Sequence, residues 1–230
     1  MSRTYSSQIP RRIASATLLT LVAFAAPALA TEVSGELALG DYHPQAQEPK
    51  VPTYRWELEN GVKEVLPDRV AARELAVVLT GGVPPVMSKE VVVPISGGEL
   101  LPSTVVLRTA SSLVLKNTDD ISHEVYAVGL ADFAAEPVDP GAKRIVNFGK
   151  PGHWALLDNT TPHARGHVHV LDDLVAVATL TDDGKFVFAN VPAGKYVLHV
   201  FHGAQEVDSQ PVEVGEQALT LNAIALKSKK

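Results

Sequence analysis

The chain has 230 residues, no cysteine and a formal charge of −6, from 20 basic and 26 acidic residues. The lack of cysteine excludes disulfides, thiolate metal sites and cysteine nucleophiles. An acidic balance without clustered lysine and arginine disfavours nucleic acid or an anionic membrane as partner.

The first thirty residues predict an export signal. The stretch "MSRTYSSQIPRR" carries three arginines and no acid, and the apolar run that follows ends in Ala28-Leu29-Ala30. A basic start, a short apolar core and an A-x-A end are typical of a secretory signal peptide. The run is too short for a comfortable membrane span. We therefore expect a periplasmic or secreted mature chain that begins at Thr31, has no membrane span and, without those three arginines, carries a formal charge of −9.

The rest of the chain predicts an all-β fold. Short β-branched runs alternate with Gly, Pro and Asp, as in sandwiches and barrels. The predicted strands cover residues 32–40, 74–82, 89–98, 103–118, 123–130, 143–149, 153–158, 166–172, 174–180, 185–191, 195–203, 210–215 and 218–226. Between the first two, residues 41–66 predict a surface connection and residues 67–76 a helical turn. Residues 227–230, "KSKK", predict a solvated tail.

A run near the carboxyl end carries a first family resemblance. In "TDDGKFVFANVPAGKYVLHV", residues 181–200, Asp183-Gly184 predicts one turn and Pro192-Ala193-Gly194 a second, each followed by a strand. The run resembles the carboxypeptidase regulatory-like, or transthyretin-like, domain. The resemblance implies such a β-sandwich over residues 173–226.

A second resemblance lies in the middle of the chain. The stretches "SLVLKNTDDISHEVYAVGL" (112–130) and "VDPGAKRIVNFGKPG" (138–152) are similar to plastocyanin-like cupredoxins. This implies a Greek-key, cupredoxin-like sandwich over residues 89–172. The combination of both domains resembles secreted bacterial proteins of the methylamine-utilisation type.

The order of these pieces predicts an insertion. "EVSGEL" and "AVVLTG" fit the opening strands of a regulatory-like sandwich, although "DDGKF" comes only after the cupredoxin-like stretch. We assign residues 31–88, the amino-terminal strands and linker, to the regulatory-like sandwich. The cupredoxin-like domain is then inserted into it, which is tolerable where the ends of a domain lie close together.

The cupredoxin resemblance implies a copper site that this sequence does not keep. The family's ligands are an early His and a Cys-x-x-His-x-x-Met loop after the Pro-Gly strand, and the thiolate is what makes a blue-copper centre. His123 matches the early His. Counted from Pro151-Gly152, Asp158 stands at the Cys position, Thr161 at the second His and Ala164 at the Met.

Two interpretations of this region stay open. In one, the loop shifts so that His163 joins His123 and Asp158, an N/O set that suits Cu(II) or Zn(II). In the other, the pocket has closed and His123 hydrogen-bonds the neighbouring strand. His167 and His169 are a weaker metal pair. They share one face of a strand, opposite Val168 and Val170, and we expect that face to be exposed to solvent.

No catalytic motif accompanies these residues. The chain has no G-x-S-x-G elbow, phosphate loop or H-E-x-x-H. We therefore expect an exported, non-enzymatic binding or structural protein without a cofactor, whose partner is a periplasmic or surface protein or a polysaccharide. The alternative is a periplasmic copper or zinc binding protein with a histidine-based site.

Overall fold

The computed structural model describes residues 31–40, 42, 70–82 and 90–226, and within these ranges the chain forms strands and two short 3-10 helices. The first strands are β1 (Thr31–Ala38), β2 (Leu75–Thr80), β3 (Glu90–Ser96), β4 (Glu99–Leu100), β5 (Thr104–Arg108), β6 (Ser112–Asn117), β7 (Val125–Ala127), β8 (Lys143–Asn147) and β9 (Gly152–Asp158). They are followed by β10 (Gly166–Leu171), β11 (Leu174–Val177), β12 (Thr179–Leu180), β13 (Lys185–Val191), β14 (Gly194–His202), β15 (Gln205–Val214), β16 (Leu219–Thr220) and β17 (Ile224–Ala225). The 3-10 helices are Ala71–Glu74 and Ala131–Phe133.

The all-β prediction is confirmed. The predicted signal segment 1–30, most of the connection 41–66 and the tail 227–230 lie outside the described residues. The predicted strand over 103–118 is two strands, because Ala110 turns the chain with a φ of 68°.

Of the segment 67–76, for which a helical turn is predicted, the structure describes residues 70–76. Among these, Ala71–Glu74 forms a 3-10 helix, and a strand begins at Leu75. All six residues of "LAVVLT" are buried, so the strand packs on both faces. Such apolar, β-branched segments are typical of strands buried on both sides, and this packing outweighs the helix-forming residues before them.

The strands form four sheets. Sheet 1 has the order β12-β13-β1-β16, with β17 also paired to β1. Sheet 2 has the order β11-β2-β14-β15, sheet 3 the order β5-β10-β9-β7, and sheet 4 the order β4-β3-β6-β8.

Strand pairing separates the middle of the chain from its two ends. All recorded pairs of β3 to β10 are with one another, and β1, β2 and β11 to β17 likewise pair among themselves. β2 and β11 are antiparallel neighbours in sheet 2, with Val78 opposite Val177. In chain order, β3 to β10 therefore lie between two strands, β2 and β11, that are adjacent in sheet 2.

Three clusters of buried side chains join the sheets. The largest draws on sheets 1 and 2, through residues such as Val33, Phe186 and Leu198. A second lies between sheets 3 and 4, through residues such as Leu113 and Val168. The third is small and joins sheets 2 and 3; its members are Ala76, Val78, Val106, Leu174 and Phe201. β1 and β14 therefore lie in different sheets but line the same core.

No helix among the described residues is long and apolar enough to cross a membrane.

Candidate functional site

His123 lies at the start of the segment that leads into β7, and its side chain is completely buried. Its backbone forms an isolated bridge with Val138, in which the Val138 N–H donates to the His123 carbonyl at 2.7 Å and the reverse bond is 3.2 Å. This bridge holds the imidazole between the end of β6 and the end of β9.

Both ring nitrogens of His123 face a carboxylate. Nδ1 lies 2.6 Å from Oδ2 of Asp158, and Nε2 lies 3.1 Å from Oδ2 of Asp119. A carboxylate only accepts hydrogen bonds, so the donor in each of these contacts is the imidazole ring. We call Asp119, His123 and Asp158 the Asp-His-Asp triad.

Asp158 ends β9, and its carboxylate organises the loop after it. Oδ1 accepts N–H bonds from Glu124 at 2.7 Å and Thr160 at 3.1 Å, and Oδ2 accepts one from Thr161 at 3.2 Å. With His123 as the fourth donor, the buried carboxylate has a partner for each of its main acceptor positions. An ionised group is tolerated inside a protein only with such compensation.

Asp119 links the triad to the turn between β3 and β4. It accepts the N–H of Gly97 at 2.6 Å and that of Gly98 at 2.8 Å. Desolvation alone would raise the pKa of Asp119, but these two N–H bonds and His123 together lower it below its usual value. Asn117, also fully buried, accepts the Asp119 N–H at 2.9 Å and so holds the turn that presents this carboxylate.

The family's blue-copper donor set does not fit these residues. The chain has no cysteine, and the residue at the Cys position, Asp158, is engaged by four donors. Both ring nitrogens of His123 lie within hydrogen-bonding distance of a carboxylate oxygen. The positions that the resemblance aligns with the early His and the Cys therefore hold a hydrogen-bonded network.

His163, the third member of the predicted N/O set, lines a cavity of about 50 Å³. Its neighbours there include Arg73, Glu99 and Arg165. Of the three predicted metal ligands, His123, Asp158 and His163, the structure brings the first two into direct contact. Among the residues described, no group of three or more His, Asp or Glu side chains is arranged to hold a metal ion.

The face carrying His167 and His169 is not the solvent-exposed face that we expected. Val168 and Val170 are buried in the core between sheets 3 and 4, as the alternation predicts. However, His169 is also buried and His167 is half-buried. The reason is that sheet 2 packs against this side of sheet 3, and sequence alternation does not reveal such a contact.

A ladder of rings crosses from sheet 3 to sheet 2. His169 stacks on His153 with ring centroids 5.8 Å apart and on Phe201 at 4.4 Å, and Phe201 stacks on His199 at 6.0 Å. The Nε2 of His169 lies 2.6 Å from the carbonyl oxygen of Gly203 and is the donor there. These contacts join β9 and β10 to β14.

His167, next to this ladder, has a buried Nδ1 without a hydrogen-bond partner. Burial lowers the pKa of His167 to about 4, and His169, His153 and His202 add to the effect. The pKa of His169 is also lowered, by burial and by His153, against the opposing effect of its bond to Gly203. Near neutral pH the ring of His167 is therefore uncharged.

Sequence reasoning missed Asp119 as a functional residue. The carboxylate of Asp119 binds the turn of another hairpin, between β3 and β4. A usable signal was present, because Asp119 precedes His123 by four residues and follows the buried Asn117 by two.

Part of the chain is similar to proteins of known structure. No family model matches, and no curated protein matches. A Cu-containing nitrite reductase (NirK) from Thermus scotoductus SA-01 is 18% identical over 37% of this chain and 23% of that one, with a TM-score of 0.34. The chain thus spans about a quarter of that enzyme.

Two amicyanin structures are similar over a comparable share of the chain. Amicyanin from Paracoccus versutus is 21% identical and covers 41% of this chain and 96% of its own, with a TM-score of 0.33. A Cu(I) form of an amicyanin variant is 20% identical over 41% of this chain and 97% of its own, with the same TM-score. These neighbours are cupredoxins, and the likeness is partial and weak. The regulatory-like domain stays a prediction.

Proposed function

We propose that this chain is an exported, non-enzymatic binding or structural protein built on a cupredoxin-like scaffold that has lost the blue-copper centre. We interpret sheets 3 and 4 as the cupredoxin-like sandwich, residues 89–172, and sheets 1 and 2 as the regulatory-like sandwich around it. This interpretation is supported by the strand pairing, in which residues 81–173 make an excursion between the neighbouring strands β2 and β11.

The observation that carries the proposal is the Asp-His-Asp triad. A metal-binding histidine needs a deprotonated nitrogen, and a catalytic carboxylate needs an oxygen that is free to accept a proton. Here Asp158 holds His123 and three backbone N–H groups, and Asp119 holds the other nitrogen of the ring. On this proposal the triad has a structural role, because its hydrogen bonds join three segments at the end of the domain.

On this proposal, the same network takes over the structural role that a metal ion would have. A bound metal ion ties its ligand loops together and so adds its binding energy to folding. In this chain, Asp158 ties the loop after β9 to His123, and Asp119 ties His123 to the β3–β4 turn. Hydrogen bonds to charged groups take the place of coordination bonds in joining the three segments.

The test is to express the full chain in a bacterium and purify it from the extracytoplasmic fraction. We expect an amino terminus at Thr31 and less than one-tenth of an equivalent of copper or zinc by elemental analysis. Retention of residues 13–30, or a stoichiometric metal that survives dialysis, would overturn the proposal. The Asp158→Asn variant is the control, since metal retained by this variant cannot be bound through the Asp158 carboxylate.

A second candidate function, copper or zinc binding, is favoured by one observation. The buried Nδ1 of His167 has no hydrogen-bond partner, and His153, His169 and His202 lie near enough to help lower the pKa of this ring. Neutral imidazoles are good ligands for both metals. Calorimetric titration with Zn(II) tests this candidate: a saturable site that His167→Ala removes and His163→Ala leaves would establish it in place of the first.

A further inference from the structure

A cavity lies beside the core between sheets 3 and 4. It has a volume of about 200 Å³ and is bounded by the 3-10 helix Ala131–Phe133, the residues after β8 and the first half of β9. Trp154, which lines it, precedes Asp158 by four residues on β9, about 13 Å along an extended strand. The cavity is therefore separate from the Asp-His-Asp triad. Its lining includes Asp132, Asn147, Phe148, Gly149, Lys150 and Trp154.

Three aromatic rings fix the walls of this cavity. Phe133 and Phe148 are buried and meet edge to face with ring centroids 6.4 Å apart, and Trp154 lies against Phe148 at 5.4 Å. Arg144 anchors the 3-10 helix, since its guanidinium donates to the carbonyl oxygen of Ala134 at 2.8 Å and lies over the Phe133 ring. A site with walls already in place loses little conformational entropy when a ligand binds.

Trp154 gives the cavity an apolar wall. Its side chain is only partly buried, so it packs against the core and also lines the cavity. Gly152 makes room for the indole, because a Cβ there would lie 2.7 Å from Cη2 of Trp154. The face of an aromatic ring is electron-rich and attracts the weakly positive hydrogens of C–H groups. The wall therefore suits a ligand that presents C–H groups on a flat side.

The polar residues of the lining supply both donors and acceptors. Asp132 carries a carboxylate, which accepts, and Lys150 an ammonium group, which donates. Asn147 accepts the Ser112 hydroxyl through Oδ1 at 2.6 Å, so its Nδ2 group remains a donor. One acidic and one basic residue leave the lining without net charge, and both are exposed, so solvent and salt screen them. The cavity thus favours a neutral ligand that donates and accepts hydrogen bonds.

We propose that this cavity binds one sugar unit of a neutral polysaccharide. A pyranose ring has C–H groups on its faces and hydroxyl groups around its edge, which match the indole wall and the polar residues of the lining. The volume is below the range of about 300–1,000 Å³ that drug-sized ligands occupy, so a single unit fits. The inference rests on the proposed binding function and names the partner class.

Titration of the purified protein with neutral hexasaccharides tests the proposal. The probes are maltohexaose, cellohexaose, mannohexaose and chitohexaose. The chain has two tryptophans, so Trp56→Phe leaves Trp154 as the fluorescent reporter. We expect a saturable change in emission with at least one probe and little effect of salt. The dissociation constant should be on the order of 1 mM, as for a bound unit of about a dozen non-hydrogen atoms.

Substitutions in the lining assign the signal to this cavity. Gly149→Leu fills it from a position where an added Cβ meets nothing within 4 Å, so binding should weaken at least tenfold while the fold is kept. Asp132→Ala removes an exposed acceptor and should weaken binding at least threefold. Lys116→Ala is the matched control, an exposed lysine of β6 outside the lining, and should bind like the parent protein. Circular dichroism verifies that each variant is folded.

Three results would overturn the proposal. They are no saturable binding of any probe at millimolar concentration, binding that Gly149→Leu leaves unchanged, and tighter binding of trigalacturonate, an anionic oligosaccharide, than of every neutral probe. None of them bears on the amino terminus or the metal content of the protein, so this inference can fail while the proposed function stands.

Discussion

The Nδ1 of His123 lies 2.6 Å from Oδ2 of Asp158, and both side chains are entirely buried. These residues are 35 positions apart, on separate segments that β7 and β9 bring together. The contact joins the position of a cupredoxin's early histidine to the position of its cysteine. A hydrogen-bonded His–Asp pair stands where the family resemblance implies a metal–thiolate centre.

Removal of the Asp158 carboxylate should be strongly destabilising. Asp158→Ala leaves the imidazole of His123 and three backbone N–H groups without their acceptor. We expect a loss of about 3 kcal/mol or more in the free energy of unfolding, because each buried donor left without an acceptor costs about 1–3 kcal/mol. Urea denaturation measures the change.

The control for this prediction is Asp182→Ala. Asp182 pairs with Arg73, but both side chains are more than half exposed. Exposed pairs of this kind contribute about 0–1 kcal/mol. Equal losses in the two variants would show that the triad contributes no more than a surface ion pair.

Acid should weaken the contact between sheets 2 and 3. The pKa of His167 is lowered to about 4 in the folded chain, from an ordinary value of 6.5, and that of His169 is also lowered. Between these values the unfolded state binds more protons than the folded state, so stability is complete above pH 6.5 and falls as the pH drops towards 4. We expect the urea midpoint to decrease over this window.

Substitution of His167 tests whether this residue causes the loss of stability at low pH. His167→Gln removes the proton uptake at this position, so it should flatten the pH dependence of the urea midpoint between 6.5 and 4. His163→Gln removes a histidine from a neighbouring loop and should leave the slope in place. An unchanged slope in His167→Gln would assign the acid sensitivity to another group.

A side chain at Gly166 should destabilise the junction of β5 and β10. An added Cβ would lie 2.4 Å from the carbonyl oxygen of Ser103, a backbone atom that cannot move aside without shifting the strand. We expect Gly166→Ala to cost about 1–3 kcal/mol, the usual range for overpacking. Thermal unfolding of Gly149→Ala is the comparison, since a Cβ there meets nothing within 4 Å; equal melting temperatures would contradict the clash.

Copper should give the protein no intense colour. Added Cu(II) has no thiolate to bind, because the chain lacks cysteine, so the strong visible thiolate-to-copper band cannot arise. At most a pale d–d absorption is expected in the visible spectrum. An intensely blue solution would refute the alignment that places Asp158 at the Cys position.

The strand positions were largely predictable from local sequence. β13, over Lys185–Val191, matches its predicted bounds, and β10 ends within one residue of them. β-branched runs between turn residues prefer extended structure wherever they lie in the chain. Within the described part of the helical turn predicted over 67–76, the helix ends at Glu74, because burial of Leu75–Thr80 on both faces favours a strand there.

The sequence by itself determined that no thiolate centre forms, and alternation along β10 predicted that Val168 and Val170 face a core. Only the tertiary structure decided what covers the opposite face, where His167 and His169 meet sheet 2 through Phe201 and Gly203. Only it placed Asp119 and Asp158 on the two nitrogens of His123. Alternation assigns each residue to a side of its own strand, whereas burial, protonation and ligand capacity depend on side chains brought there by distant strands.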